Sequence, residues 1–302
     1  NGNEAQRAKY LPKLCTGEFK GALAMSEPGA GSDVVGSMAC RAELKGDVWV
    51  ANGNKMWITN GPDADTLVVY AKTDIAAGPK GITAFIIEKG MKGFSQRPIH
   101  GKLGIKAGNT GYFSLQDVRV PAANMLGQEG EGFKIAMFSL ENGRYTVASG
   151  ATGVIRASRD ASVAYANTRE VQGQTIANFQ LVKQKIAPME ADYEMSRLLW
   201  MKCGFLKNTG KPSAKAASMA KWQATTRSEK AASMAIEVHG ANGYTNDYPV
   251  ERYLRNCKAA VIYEGTRDIH TLMQADWALG LKKEKAARQI LPPYQAEAKA
   301  AG

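Results

Sequence analysis

The feature that most constrains this chain is a change of texture near residue 130. Before it, short runs rich in Val, Ile, Tyr, Phe and Trp alternate with turn residues: 21–25, 47–53, 55–61, 66–73, 82–87 and 111–118. Asn52-Gly53 and Asn60-Gly61 read as turn pairs that close two of those runs. Pro121 and Gly127 mark the exit. From Glu131 onward Gly and Pro thin out and the apolar period becomes helical. Phe133, Met137, Leu140 and Tyr145 lead a segment to about Ala166. A second spans 179–207 with Ile186, Met189, Tyr193 and Leu198 on one face, and an Ala-rich third spans 215–238. Shorter segments follow at 250–258 and 266–279. Short strands with regular turns predict a β barrel or sandwich unit, and long amphipathic segments predict an antiparallel helical bundle. The expected class is α+β.

Residues 3–12 read as the tail of a helix that Pro12 and Gly17 close, so the chain opens mid-helix with no initiator Met. The expected organisation is a helical remnant at 1–20, a β domain at 21–128, a helical domain at 129–280 and a loose tail at 281–302.

A length of 302 residues suffices for two domains. No apolar run approaches the roughly 20 residues of a membrane-spanning helix. The net charge of +11 suits an anionic partner: nucleic acid, acidic lipid or a polyphosphate ligand. The positive residues are scattered, and the densest group, Lys282-Lys283-Glu284-Lys285, reads as a solvated segment. Cys15, Cys40, Cys203 and Cys257 are far apart with no C-x-x-C, and His100, His239 and His270 lack metal-ligand spacing. Neither a metal site nor a disulfide framework is expected, and a reducing compartment fits.

Four stretches are candidates for chemistry. Ser26-Glu27-Pro28-Gly29-Ala30-Gly31-Ser32-Asp33 follows a strand and combines hydroxyls with glycines that let a ligand approach the backbone; it also reads as a polar turn. It is neither a Walker loop nor a dinucleotide fingerprint, since no Gly-Lys-Ser/Thr and no long helix follows. Trp57 and Thr59 share a strand face by period two, and an indole beside a hydroxyl suits a flat heteroaromatic with polar edges; a core Trp reads equally well. His239-Gly240-Ala241-Asn242-Gly243 is a glycine-rich turn that a plain helix C-cap also explains. Arg169 to Gly173 and Phe179-Gln180 sit between two long helices, where a surface connection is the default. Finally, Tyr263-Glu264-Gly265-Thr266 places a carboxylate on a tight turn just before a helix that Thr266 can cap and Asp268 begins.

Taken in this order and spacing, Ser26–Asp33, Trp57-Ile58-Thr59-Asn60-Gly61, Gly240-Ala241-Asn242-Gly243 and Tyr263-Glu264-Gly265-Thr266 resemble the acyl-CoA dehydrogenase family, from residue 1 to about Gly280. The resemblance implies a middle β domain and a C-terminal four-helix domain, with most of an N-terminal helical domain absent. It implies FAD-dependent oxidation of an acyl-CoA to the trans-2-enoyl-CoA, with Glu264 as the base for the α-proton. Electron-transfer flavoprotein is the implied acceptor and a homotetramer the implied assembly.

By the same resemblance Ser26 and Thr59 meet the flavin edge, Trp57 packs on its ring, and Met25, Gly31, Ser32, Thr266 and Asp268 lie at the cofactor. Ser32, Arg144, Tyr263 and Gly265 lie at the acyl-CoA. Arg169, Gln180, Gly240, Ala241 and Gly243 reach the FAD of a neighbouring subunit. The implied compartment is bacterial cytoplasm or the mitochondrial matrix.

Three positions depart from the pattern: Gln172, Glu237 and Ala241, and a carboxylate at 237 is unfavourable beside a pyrophosphate. The first half resembles the isovaleryl-CoA members, which carry their base just before the Arg corresponding to Arg144. That position is Gly143 here, and the base motif resembles the glutaryl-, short- and medium-chain members. A few family relatives bind DNA with little dehydrogenase activity, which the charge permits; Glu264 and the scatter of positive charge argue against that reading. Loss of the N-terminal helices would leave a non-catalytic fragment as a third reading.

Overall fold

The computed structural model of the chain describes residues 1–286. Of the expected tail, 287–302 lie outside the described residues. The chain divides into two compact units, Asn1–Ser139 and a second that begins at Leu140.

The first unit opens with helix α1 (Glu4–Thr16), followed by β1 (Gly21–Ala24), the single turn α2 (Val34–Ser37), β2 (Arg41–Lys45), β3 (Val48–Thr59), β4 (Thr66–Lys72), β5 (Ile82–Glu88), β6 (Phe94–Pro98), β7 (Thr110–Pro121) and β8 (Met125–Leu126). They form one mixed eight-stranded sheet in the order β6-β7-β3-β2-β4-β5-β8, with β1 parallel to β4. β4 and β5 are buried at almost every residue, so both their faces are covered and both read as continuous apolar runs. Tyr70, Phe85, Phe113, Leu67, Ile82, Ile87 and Leu115 fill this core.

Two sequence expectations change here. α1 does not open mid-helix: Asn3 caps it in a reciprocal capping box with Gln6. Nor does Pro12 close it, because the helix runs on to Thr16 and stops at Gly17 in the left-handed conformation. The second change is at Asn52-Gly53, which is no turn. β3 continues through it as one twelve-residue strand, paired with β7 throughout and bulged between Ala51 and Gly53 and again between Lys55 and Ile58. Asn52 spends its side chain across the sheet, donating to the Asp117 carboxylate at 3.0 Å and accepting from the Asp117 N–H at 2.8 Å. Gly53 sits at φ 145°, and a Cβ there would lie 2.7 Å from Cys40 Cα. The glycine serves a close backbone approach.

The second unit takes up the long helix α3 (Gly132–Thr168) and adds α4 (Gln180–Asn208), α5 (Ala214–His239), α6 (Val250–Ala260) and α7 (Arg267–Ala278). Small residues let these helices approach closely. One core joins Ile155, Met189, Ala231, Ala235 and Val250, and another joins Ala148, Ala151, Ala220 and Ala224. The connection after α3 is a hairpin, not a plain loop: β9 (Glu170–Val171) pairs with β10 (Gln174–Thr175). Gln172 at φ 54° and Gly173 at φ 75° form its turn, the left-handed pair that two-residue hairpins require. Among the described residues, no helix is long and apolar enough to cross a membrane.

Candidate active site

The turn between α6 and α7 is strained and heavily restrained. Glu264 lies at φ 57° and Gly265 at φ 96°, so a residue with a Cβ is held in the left-handed region, at a cost on the order of 1 kcal/mol. Thr266 then starts α7, its hydroxyl accepting from the Ile269 N–H at 3.2 Å.

Two successive carbonyls of this turn are taken by side chains from three helices. Arg144 Nε on α3 donates to the Glu264 carbonyl at 3.1 Å, and His270 Nε2 on α7 meets the same oxygen at 3.2 Å. Lys221 Nζ on α5 donates to the Gly265 carbonyl at 2.7 Å. Because His270 Nε2 must donate to a carbonyl, its Nδ1 accepts from Ser218 Oγ at 2.8 Å, which fixes the neutral tautomer.

The Glu264 side chain turns inward over Gly143. A Cβ at residue 143 would lie 2.6 Å from Glu264 Oε1 and 2.7 Å from Oε2. Oε2 is buried and has no hydrogen-bond partner among the described residues. Burial pushes the Glu264 carboxyl above its ordinary range, while Arg144 and Lys221 pull it back. Burial, with Arg144 next, pushes Lys221 down to about 7. Burial, aided by Arg144 and Lys221, pushes His270 down to about 3, so it stays neutral. The result is a partly desolvated carboxylate, with one free oxygen, facing two cations: the properties a proton acceptor needs. Tyr263 beside it is 41% exposed. Asp268 is exposed in the first turn of α7.

In the first unit, the Ser26–Asp33 loop is braced from below. Glu27 and Lys55 form a buried ion pair at 2.8 Å; Glu27 also accepts from the Ala39 and Cys40 N–H groups, and Lys55 donates to the Met25 carbonyl. Above them, Trp57 is 58% exposed and sits at φ 65°, an uncommon conformation for a bulky residue. Trp57 and Thr59 are both exposed and flank the buried Ile58. Ser26 Oγ donates to the Met56 carbonyl at 2.7 Å, so its oxygen is left as an acceptor. Met25 is buried, whereas Ser32 is exposed and Gly31 has open space where a Cβ would stand. An exposed ring on a strained bulge, hydroxyls and open glycine backbone fit a flat heteroaromatic with polar edges, as a flavin is.

A third group lies at the far end of the helical unit. Ala166, Ile176 and Val238 form a small core with Tyr165, Phe179 and Val182. It joins the end of α3, the start of α4 and the end of α5. Arg169, Gln180 and the turn at 240–243 are thereby brought to one end of the unit. Arg144 and Tyr165 are 21 residues apart on α3, roughly 30 Å along its axis, so this group is remote from Glu264. Gly240 needs its left-handed φ of 59°, and a Cβ on Gly243 would strike the Ile236 carbonyl at 2.6 Å. Ala241 is exposed and needs neither. Glu237 is paired with Lys185 at 2.5 Å, which offsets its charge.

Lys221, Ser218 and the bracing pair Glu27–Lys55 are not singled out by sequence. Their signal is polar residues on an apolar face: Ser218, Lys221 and Thr225 follow helical spacing within the buried Ala-rich side of α5. Among the described residues, no group of three or more His, Cys, Asp or Glu is placed to hold a metal ion.

Comparison with known proteins identifies the family. Residues 22–118 match the family model "Acyl-CoA dehydrogenase, middle domain", and residues 130–279 match "Acyl-CoA dehydrogenase, C-terminal domain". The chain is 46% identical over 275 residues to mitochondrial isovaleryl-CoA dehydrogenase of Pongo abelii, covering 90% of this chain and 65% of that protein. It is 42% identical to the short-chain specific acyl-CoA dehydrogenase of Clostridium acetobutylicum, covering 90% and 72%. The butyryl-CoA dehydrogenase structure from Megasphaera elsdenii superposes with a TM-score of 0.89 at 39% identity, covering 92% of this chain and 72% of that one. The chain thus spans about two thirds of the length of the curated relatives it matches.

Proposed function

Since this chain belongs to the acyl-CoA dehydrogenase family, a family of FAD-binding oxidoreductases, we propose that it oxidises an acyl-CoA thioester to the trans-2-enoyl-CoA. In this reading Glu264 is the base. Its carboxylate takes the α-proton, the Cα–H electron pair becomes the new C=C bond, and the β-hydrogen leaves as hydride. FAD, when bound, supplies the two-electron acceptor for that hydride, and electron-transfer flavoprotein receives the electrons afterwards.

The observation that carries the reading is the Glu264 carboxylate itself: half-buried, its Oε2 enclosed and unpartnered, on a strained turn whose carbonyls three side chains hold. A surface carboxylate ahead of a helix has no need of such restraint. Burial raises its proton affinity, and the charges of Arg144 and Lys221 oppose that rise. Trp57 would stack on the flavin ring, with Thr59 and the Ser26 oxygen at its polar edge. Met25, Gly31 and Ser32 would line the cofactor, Thr266 and Asp268 would reach it from the start of α7, and Arg144, Tyr263 and Gly265 would border the thioester. Arg169, Gln180, Gly240, Ala241 and Gly243 would serve the FAD of a neighbouring subunit in a homotetramer.

The test is a visible-spectrum titration of the flavin-loaded protein with butyryl-, isovaleryl- and glutaryl-CoA. Bleaching by one of them supports the reading and assigns the acyl group. A flavin that none of these or longer acyl-CoA thioesters reduces contradicts it.

A further inference from the structure

We propose that Lys221 is a positioning residue for the Glu264 base: through the Gly265 carbonyl it fixes the turn that carries the base, and its charge holds the carboxylate ionised. This rests on the reading of Glu264 as the proton acceptor.

The geometry comes first. Lys221 is fully buried within α5, and its Nζ reaches the Gly265 carbonyl at 2.7 Å. Arg144 and His270 hold the preceding carbonyl, that of Glu264. A trans peptide is planar, with its N–H opposite its C=O. Fixing these two carbonyls therefore fixes the Gly265 and Thr266 N–H groups on the other side, and with them the backbone from which the Glu264 side chain projects. Ser218, one turn before Lys221 on the same helix, backs His270. α5 thus restrains the turn twice.

Hydrogen bonding alone does not explain a lysine. A neutral donor would satisfy the Gly265 carbonyl without the cost of burying an ammonium. The charged groups around Glu264 show where the charge acts. Arg144 on α3 and Lys221 on α5 act on the carboxylate; Glu141 on α3 acts on Arg144, Arg267 on α7 acts on Lys221, and His270 on α7 is neutral. Glu141 is engaged by Lys207, and Arg267 is paired with Glu229 at 2.5 Å. Lys221 and Arg144 are the cations left facing the carboxylate. Burial pushes Lys221 itself down to about 7, and its charge opposes the upward push that burial gives the Glu264 carboxyl.

The experiment compares the flavin-loaded protein with its Lys221→Met, Lys221→Gln and Lys221→Arg variants. It reads the rate of flavin reduction by acyl-CoA against pH, the acyl-CoA affinity, and the Glu264 carboxyl titration by infrared difference against Glu264→Gln. The proposal expects both neutral variants to shift the carboxyl titration and the rate inflection upward by about one pH unit, a tenfold slower reduction on the acid side. Affinity for acyl-CoA stays within about threefold, and Lys221→Arg returns the inflection to within a few tenths of a unit. An unchanged titration in the neutral variants overturns the proposal. So does failure of both to fold, which would make Lys221 a purely structural ion. If no acyl-CoA reduces the parent protein, the dehydrogenase reading fails, while the infrared titration still reports whether Lys221 sets the Glu264 charge.

Discussion

The carboxylate of Glu264 occupies the space into which a side chain at residue 143 would grow: a Cβ on Gly143 would lie 2.6 Å from Oε1. The two positions are 121 residues apart in sequence, yet only one of them has room for a side chain. Gly143 is therefore a requirement of the Glu264 geometry.

Gly143→Ala tests that requirement. The new methyl group would overlap the carboxylate, and the tip of the Glu264 side chain must move to accommodate it. Flavin reduction by acyl-CoA should slow by at least about tenfold, since displacement by about 1 Å is enough to lose that much. Flavin binding and the far-UV circular dichroism spectrum should not change. Stopped-flow reduction checks the rate, and an unaltered rate would mean that the carboxylate does not act from this position.

Glu264 also makes a stability prediction. Its folded-state pKa is raised above the unfolded value, so the folded chain holds more protons between the two. Stability then falls as pH rises through that window and remains lower above it. Glu264→Gln should thus gain stability relative to the parent as pH rises through that window, with the difference vanishing on its acid side. Lys221 runs the other way. Its folded pKa of about 7 lies below its ordinary 10.5, so its contribution to stability rises with pH between those values. Urea denaturation from pH 4 to 9 checks both signs.

Trp57→Gly separates ligand binding from folding. The indole is 58% exposed and its backbone is left-handed, so removing the ring forfeits little burial and relieves about 1 kcal/mol of strain. The loss of unfolded-state restraint with glycine offsets a similar amount. The flavin-free protein should keep its unfolding free energy to within about 1 kcal/mol. FAD affinity, followed by flavin fluorescence, should drop at least about tenfold, the loss of one stacking partner.

The Glu27–Lys55 pair behaves differently. Both side chains are buried, and removing either leaves a charge without its partner, at a cost of about 3–5 kcal/mol. Lys55→Met and Glu27→Gln should each lower the unfolding free energy measured by urea denaturation by that amount. The double variant should recover part of the loss.

How far the sequence alone leads depends on where each signal resides. The long helices are legible because the 3.6 period is local and repeats over several turns. Glu264 is legible because four motifs recur in order. β3 is misread because Asn52-Gly53 is a turn signal within its own neighbourhood, while the contacts that extend the strand reach Asp117 and Cys40 far along the chain. β2 and β6 are missed for a related reason. Arg41–Lys45 is mostly exposed and charged, and Phe94–Pro98 is an edge strand ending in proline, so neither shows the β-branched texture of a covered strand. Lys221 is invisible because a lysine on a helix is ordinarily solvated; only the packing of α5 against the turn at 264–265 reveals its buried ammonium.

The most direct test of the account concerns where the base stands. Flavin reduction by acyl-CoA should be lost in Glu264→Gly and partly restored, to at least about 1% of the parent rate, in the double variant Glu264→Gly, Gly143→Glu, whose carboxylate grows into the same space from α3. A double variant as inactive as Glu264→Gly, with FAD bound and the fold intact, or a Glu264→Gly variant that reduces its flavin at the parent rate, would contradict the assignment of Glu264 as the proton acceptor.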